Sequence, residues 1–131
     1  NQWNRAGEWL TEAYHQHNPN AASGLAGVVF FFTQVMKREP IEECDELTLE
    51  IAAVMAEDDL VTVLWPRTYP DPRTPEYAHC QTLAAGEPRN TCLEDVKMYS
   101  TTWFDTWRFV DGKADEHWDP ATIAPPAPAG N

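Results

Sequence analysis

Long hydrophobic runs are missing from this chain of 131 residues. A stretch such as Val28 to Phe32 is far too short to cross a bilayer, so no transmembrane helix is expected. Cations are scarce as well. Nine Lys and Arg stand against 21 Asp and Glu, a formal net charge of −12. Such a surface repels phosphate backbones and anionic lipid, which excludes nucleic acid and membrane as partners. Only six glycines occur, and none falls in a phosphate-cradling loop or a dinucleotide fingerprint, so no cofactor is expected. The three cysteines make an odd count. Cys80 and Cys92 lie in one irregular stretch and would pair in an oxidising compartment, leaving Cys44 alone. No signal-like segment opens the chain, and the reading adopted is three reduced thiols in a cytoplasmic protein.

What remains is an ordinary globular composition. Hydrophobic residues make up 43% and charged residues 23%, which excludes a disordered or fibrous chain. The length suits one domain with a core of its own. Trp3, Ala6, Leu10, Ala13 and Tyr14 recur at helical spacing, so an amphipathic helix is expected to open the chain and to end at His17-Asn18-Pro19. A second, largely buried helix is expected from Gly24 to about Lys37. Leu47–Met55 and Leu60–Trp65 flank the turn signal Glu57-Asp58-Asp59, and Met98–Val110 and Lys113–Trp118 flank Asp111-Gly112. Helices followed by antiparallel hairpins indicate an α+β fold, a curved sheet wrapped around the helices. Pro66, Pro70, Pro72 and Pro75 open a stretch without apolar period, read as an insertion over about 66–95 of a single domain spanning 1–119. Residues 120–131 read as a proline-rich tail.

The last hairpin can be read geometrically. With a two-residue turn at Asp111-Gly112, Val110 faces Lys113, and alternation places Asp105, Trp107 and Phe109 on one face with Ala114, Glu116 and Trp118. This face is the apolar one and is expected to point inward. Asp105 and Glu116 would then be carboxyls in apolar surroundings, suited to general acid and base work near neutral pH. The alternative is a bulge in the hairpin or a buried donor paired with each acid, and a register slip of one residue would put His117 and Asp119 inside instead.

Tyr14-His15-Gln16-His17-Asn18-Pro19 with Ser23-Gly24 resembles the Y-x-Q-H-N-P…S-G opening of SnoaL-like proteins, members of the nuclear transport factor 2-like superfamily. Ala56-Glu57-Asp58-Asp59-Leu60-Val61 resembles the A-E-G-D-L-V turn of that group, with Asp58 in place of glycine. Asp105-Thr106-Trp107-Arg108-Phe109, Asp111-Gly112-Lys113 and Glu116-His117-Trp118-Asp119 resemble its D-x-F-R…D-G-K…E-H-W-D ending. The resemblance spans residues 3 to about 120. It implies a conical α+β barrel with helices inside a strongly curved, mainly antiparallel sheet, a deep pocket at the open end, and a homodimer through the outer sheet face. Ketosteroid isomerase is similar at the same hairpin, where its protonated oxyanion-hole aspartic acid corresponds to Asp105.

The function so indicated is cofactor-independent acid/base catalysis beside a carbonyl of a small hydrophobic, cyclic substrate, by isomerisation, dehydration or aldol-type cyclisation. Asp105, Glu116, His17 and Tyr14 are the candidate catalytic groups. Asn18, Trp103, Trp107, Phe109 and Trp118 are the candidate substrate contacts. His17 serves equally as a cap of the first helix, and Asn18 as a turn residue. Four histidines and Asp119 match no compact ligand spacing, and His15 and His17 diverge on a continuing helix, so no metal is expected. The alternative to an enzyme is a small-molecule binding module or a dimeric scaffold of the same fold.

Overall fold

A computed structural model describes residues 1–41, 50–83 and 87–123. The expectations for Cys44 with its acidic neighbours and for most of the proline-rich tail fall outside them. A short 3-10 helix, Trp3–Glu8, precedes β1 (Leu10–Gln16) and α1 (Leu25–Phe30), which runs on into a π-helical turn at Phe31–Val35. There follow β2 (Ala53–Glu57), β3 (Leu60–Pro70), α2 (Pro75–Cys80), α3 (Glu87–Glu94), β4 (Met98–Val110) and β5 (Lys113–Trp118). The strands form one curved, mainly antiparallel sheet in the order β1-β5-β4-β3-β2. This is the expected α+β class, but the sheet stays open, with β1 and β2 as its edges, and does not close into a barrel. Among the described residues no helix is long and apolar enough to cross a membrane.

The chain divides into two compact units, the first of residues 1–65 with 103–123 and the second of Pro66–Thr102. In the first, the opening segment departs from expectation. The helix stops at Glu8, and Leu10–Gln16 is a strand that pairs in parallel with β5. Leu10 lies opposite Ala114 and His15 opposite Glu116, with an irregularity between them. Residues four apart share a face on a strand as they do on a helix, so the spacing of Leu10 and Tyr14 mimics a helical stripe. The pairing with β5 supplies backbone partners that an isolated helix would have had to find within itself, and tertiary context overrides the local period. Tyr14, Val28 and Ala114 form the buried centre, with Leu10, Phe32 and Trp107 packed around it.

Both hairpins form, the first with its leading strand at Ala53–Glu57, later than the Leu47–Met55 expected. Glu57 pairs with Leu60 and Val110 with Lys113, so both turns have two residues. Asp111 and Gly112 adopt φ of 48° and 78°, the positive values that this turn type needs. The β4–β5 register then shifts. Phe109 faces Ala114, but Arg108 faces Glu116, Trp107 faces His117 and Thr106 faces Trp118. Asp115 is the extra residue of a β-bulge, and its carboxylate accepts a 2.6 Å hydrogen bond from the Thr11 hydroxyl.

In the second unit, Thr74 caps α2 by accepting from the Tyr77 N–H, and Pro75 follows at the first helical position. Cys80 of α2 is bonded to Cys92 of α3, which corrects the expectation of reduced thiols at these two positions. The two helices bring the cysteines to a Cα separation of 5.6 Å, within disulfide range. Closing a loop of this size stabilises the fold by ~3 kcal/mol. Upstream, the Asp71 carboxylate accepts from the Arg73 guanidinium at 2.7 Å and from the Arg73 backbone N–H at 3.0 Å. These bonds, against the opposing effect of burial, hold the Asp71 carboxyl at about 2, below its ordinary 3.8.

Two outcomes are expected. A Cβ on Gly27 would lie 2.5 Å from the Ala22 carbonyl oxygen. Gly27→Ala therefore lowers the melting temperature, although alanine in an unobstructed helix gains about 1 kcal/mol over glycine; an unchanged or higher Tm would contradict the packing. Asp71→Asn lowers Tm at neutral pH. Because the folded-state value is depressed, this contribution is present above 3.8 and is lost as pH falls through about 2. The gap between wild type and variant, measured in thermal melts, therefore closes across that window.

Candidate active site

Beyond the bulge, the inward face of β5 carries His117 where simple alternation would place Glu116. His117 is 7% exposed and Asp105, beside it on β4, is 8% exposed. His117 Nε2 lies 2.9 Å from Asp105 Oδ1, and Nδ1 lies 2.8 Å from Gln16 Oε1 on β1. The Gln16 amide orientation is settled by a second bond, because its Oε1 also accepts the Asn18 backbone N–H at 3.0 Å. A backbone N–H can only donate, so this atom is the amide oxygen, and His117 Nδ1 must carry a proton. One further proton then lies between Nε2 and Oδ1.

Tyr14 and Trp107 border this pair. The Trp107 ring centroid is 5.2 Å from that of His117, and the Tyr14 ring 6.4 Å. Burial pushes the Tyr14 hydroxyl well above its ordinary pKa; a hydrogen bond with Trp107 works against this, and the charges of Asp105 and Asp119 add to it. Tyr14 is thus a hydrogen-bond donor throughout the neutral range. Asn18 reaches the edge of the same cluster, donating from Nδ2 to Asp119 Oδ2 at 2.8 Å. Its Oδ1 accepts the Asn20 N–H, so it is also the turn residue expected. Trp103 shares the β4 face of Asp105 and Trp107 by alternation and is partly buried.

Glu116, expected to point inward, is on the opposite face. The bulge at Asp115 reverses the alternation, so Glu116 pairs outward with His17 Nε2 at 2.8 Å and Arg108 Nη1 at 3.1 Å. Trp118 goes with it, stacking on His17 with centroids 5.0 Å apart and lying beneath Arg108. His17 does not cap a helix, since the segment before it is a strand. Its backbone N–H continues the β1–β5 pairing to the His117 carbonyl. Phe109, 37% exposed, sits near the hairpin turn, and its N–H bonds the Asp59 carbonyl. The structure thus groups Asp105, Tyr14 and Trp107 with His117 and Gln16, and groups Glu116, His17 and Trp118 elsewhere.

Gln16 was absent from the sequence-based candidates, and His117 entered them only as the consequence of a register slip. The signal that could have found His117 is the Thr11–Asp115 bond that seats the bulge, and it joins residues 104 apart. Two surface recesses are also present, one of about 630 Å³ between the opening helix and Thr33–Pro40, the other of about 400 Å³ beside the disulfide. Neither is lined by Tyr14, Asp105 or His117.

No protein-family model and no curated protein matches the chain. Solved structures do. TsrD from Streptomyces laurentii superposes with a TM-score of 0.51 at 16% identity, over 90% of this chain and 74% of that one. Two proteins provisionally named polyketide cyclases follow at a TM-score of 0.50. The Bacillus cereus chain is 18% identical, matched over 90% of this chain and 62% of that one. The Acidithiobacillus ferrooxidans chain is 14% identical, matched over 89% and 73%. The chain shares the fold of these solved structures, in line with the resemblance read from its sequence. In the five-stranded sheet the buried His117 joins the neighbouring strands β1, β5 and β4 through side chains as well as backbone.

The proton assignment is directly observable. In wild type, the imidazole nitrogen correlation of His117 is expected to show Nδ1 protonated. Gln16→Leu removes the acceptor and is expected to abolish that pattern; retention of an Nδ1–H signal in the variant would refute the assignment.

Proposed function

We propose that this protein is a cofactor-independent acid/base catalyst acting beside a carbonyl of a small hydrophobic substrate. The observation that carries the reading is the buried Asp105–His117 pair, hydrogen-bonded at 2.9 Å away from bulk solvent. A fold does not fix a function, and the reading rests on this pair. The provisional names of two chains of the same fold agree with it.

The chemistry follows from the groups present. The His117 bond engages Asp105 Oδ1 and leaves Oδ2 for the substrate. As a carboxylate, Asp105 takes the proton from the carbon next to the carbonyl, and the electron pair of that C–H bond moves into an enolate. Charge develops on the substrate oxygen, where the protonated Tyr14 hydroxyl is the donor at hand. Return of the proton to another carbon completes an isomerisation. Expulsion of a β-hydroxyl as water gives dehydration, and attack of the enolate carbon on a second carbonyl closes a ring. His117 holds the charge balance of Asp105 throughout, and Gln16 holds His117 in the tautomer this needs. Trp107 and Trp103 supply the flat apolar wall for a hydrophobic, cyclic substrate.

Asp105→Asn keeps the shape of the site and one hydrogen-bond acceptor but cannot accept the proton. Across a panel of cyclic ketones, exchange of α-hydrogen for solvent deuterium is the measurement. The variant is expected to fall by about tenfold or more relative to wild type. An unchanged exchange rate would remove Asp105 from the chemistry. Absence of exchange in wild type with every ketone would direct the reading to a binding module.

A further inference from the structure

We infer that the outer face of the β1–β5 pair carries a divalent-metal site of the zinc type, formed by His15, His17 and Glu116. On a helix, residues 15 and 17 would diverge. On the observed strand they project from one face, and their ring centroids are 4.5 Å apart. Glu116 is the register partner of His15 on the neighbouring strand, so its carboxylate is brought to the same place. One ligand atom from each of the three side chains lies within 4.8 Å of the other two.

The chemistry of the set is selective. Two imidazoles and one carboxylate favour zinc or copper over magnesium and calcium, which take oxygen ligands in larger number. Zinc bonds imidazole nitrogen at about 2.0–2.1 Å, so ligand atoms around a tetrahedral ion sit roughly 3.3 Å apart. Contraction to that spacing needs only side-chain rotation. Both histidines are exposed and have room to turn.

The surroundings are arranged to present the carboxylate. Arg108 holds Glu116 Oε2 at 3.1 Å, which leaves Oε1, now 2.8 Å from His17 Nε2, as the coordinating oxygen. When metal binds, that direct contact is replaced by two bonds to the ion, and His17 carries its remaining proton on Nδ1. Trp118 stacks on one face of the His17 ring, with centroids 5.0 Å apart. Solvent supplies the fourth ligand, the arrangement of an exchangeable ion. The net charge of −12 raises the local concentration of cations. The second cluster of possible ligands, Asp105, His117 and Asp119, already has both ring nitrogens of its histidine committed to Asp105 and Gln16.

The inference is independent of the proposed catalysis, since the outward groups are separate from the Asp105–His117 pair. The test is isothermal titration of the chelator-treated whole chain with Zn²⁺ at about pH 7.5. One ion per chain is expected, and His15→Ala and Glu116→Gln are each expected to weaken binding at least about tenfold. His15 is exposed, so its variant is expected to retain the wild-type melting curve. Asp119→Asn is expected to bind as wild type does. Absence of saturable binding overturns the inference. So does binding that survives His15→Ala and is lost in Asp119→Asn, which would place the ion at the buried cluster.

Discussion

One extra residue in β5, Asp115, is the constraint on which the rest of the site depends. The hydrogen bond from Thr11 seats its carboxylate, and the bulge sets every later side chain of the strand on the face opposite to the one plain alternation would give. His117 therefore enters the core and Glu116 leaves it. The irregularity in β1 accompanies this, since β1 and β5 must stay paired on both sides of it. Ala114 receives its partner from Trp9 before the bulge, and His17 donates to His117 after it.

The inward turn of His117 makes it possible to bury Asp105. A lone carboxylate in this setting would carry a large desolvation penalty. Here the imidazole is hydrogen-bonded to it at 2.9 Å and Gln16 satisfies the other nitrogen, so both ring nitrogens have a partner. Such an arrangement is costly to break by halves, because removal of one member leaves the other buried without a partner. Tyr14 and Trp107 complete the enclosure and keep water from competing for the shared proton. Adjacent positions on the same strand thus serve two environments. His117 takes part in a dry proton-sharing pair, while Glu116 joins a wet ionic group with Arg108 and His17.

Much of the framework was legible before any coordinates. The two hairpins, a helix after Gly24 and the α+β class all follow from local signals: positive-φ turn residues, alternating apolar runs and a helix-sized apolar stretch. The expected burial of that helix does not hold, since Val28 alone of it is buried and Phe30 is 60% exposed. The inward position of Asp105 was legible too, because it lies on β4, where alternation runs unbroken from Trp103 to Trp107. The nature of the opening segment was not. Leu10 and Tyr14 are four residues apart on a strand with an irregularity, and a period of four is what a helix shows.

What the sequence by itself determined is therefore whatever nearest neighbours along the chain decide: turn chemistry, strand propensity, charge balance and the face of an uninterrupted strand. The tertiary structure alone decided the choice between helix and strand at Leu10–Gln16, the flip of faces beyond Asp115, the joining of Cys80 to Cys92 and the meeting of His117 with Gln16 and Asp105. Each of these depends on a partner distant along the chain, Thr11 with Asp115 or Gln16 with His117. The gain from such a contact exists only once the sheet is assembled, so no local period can announce it.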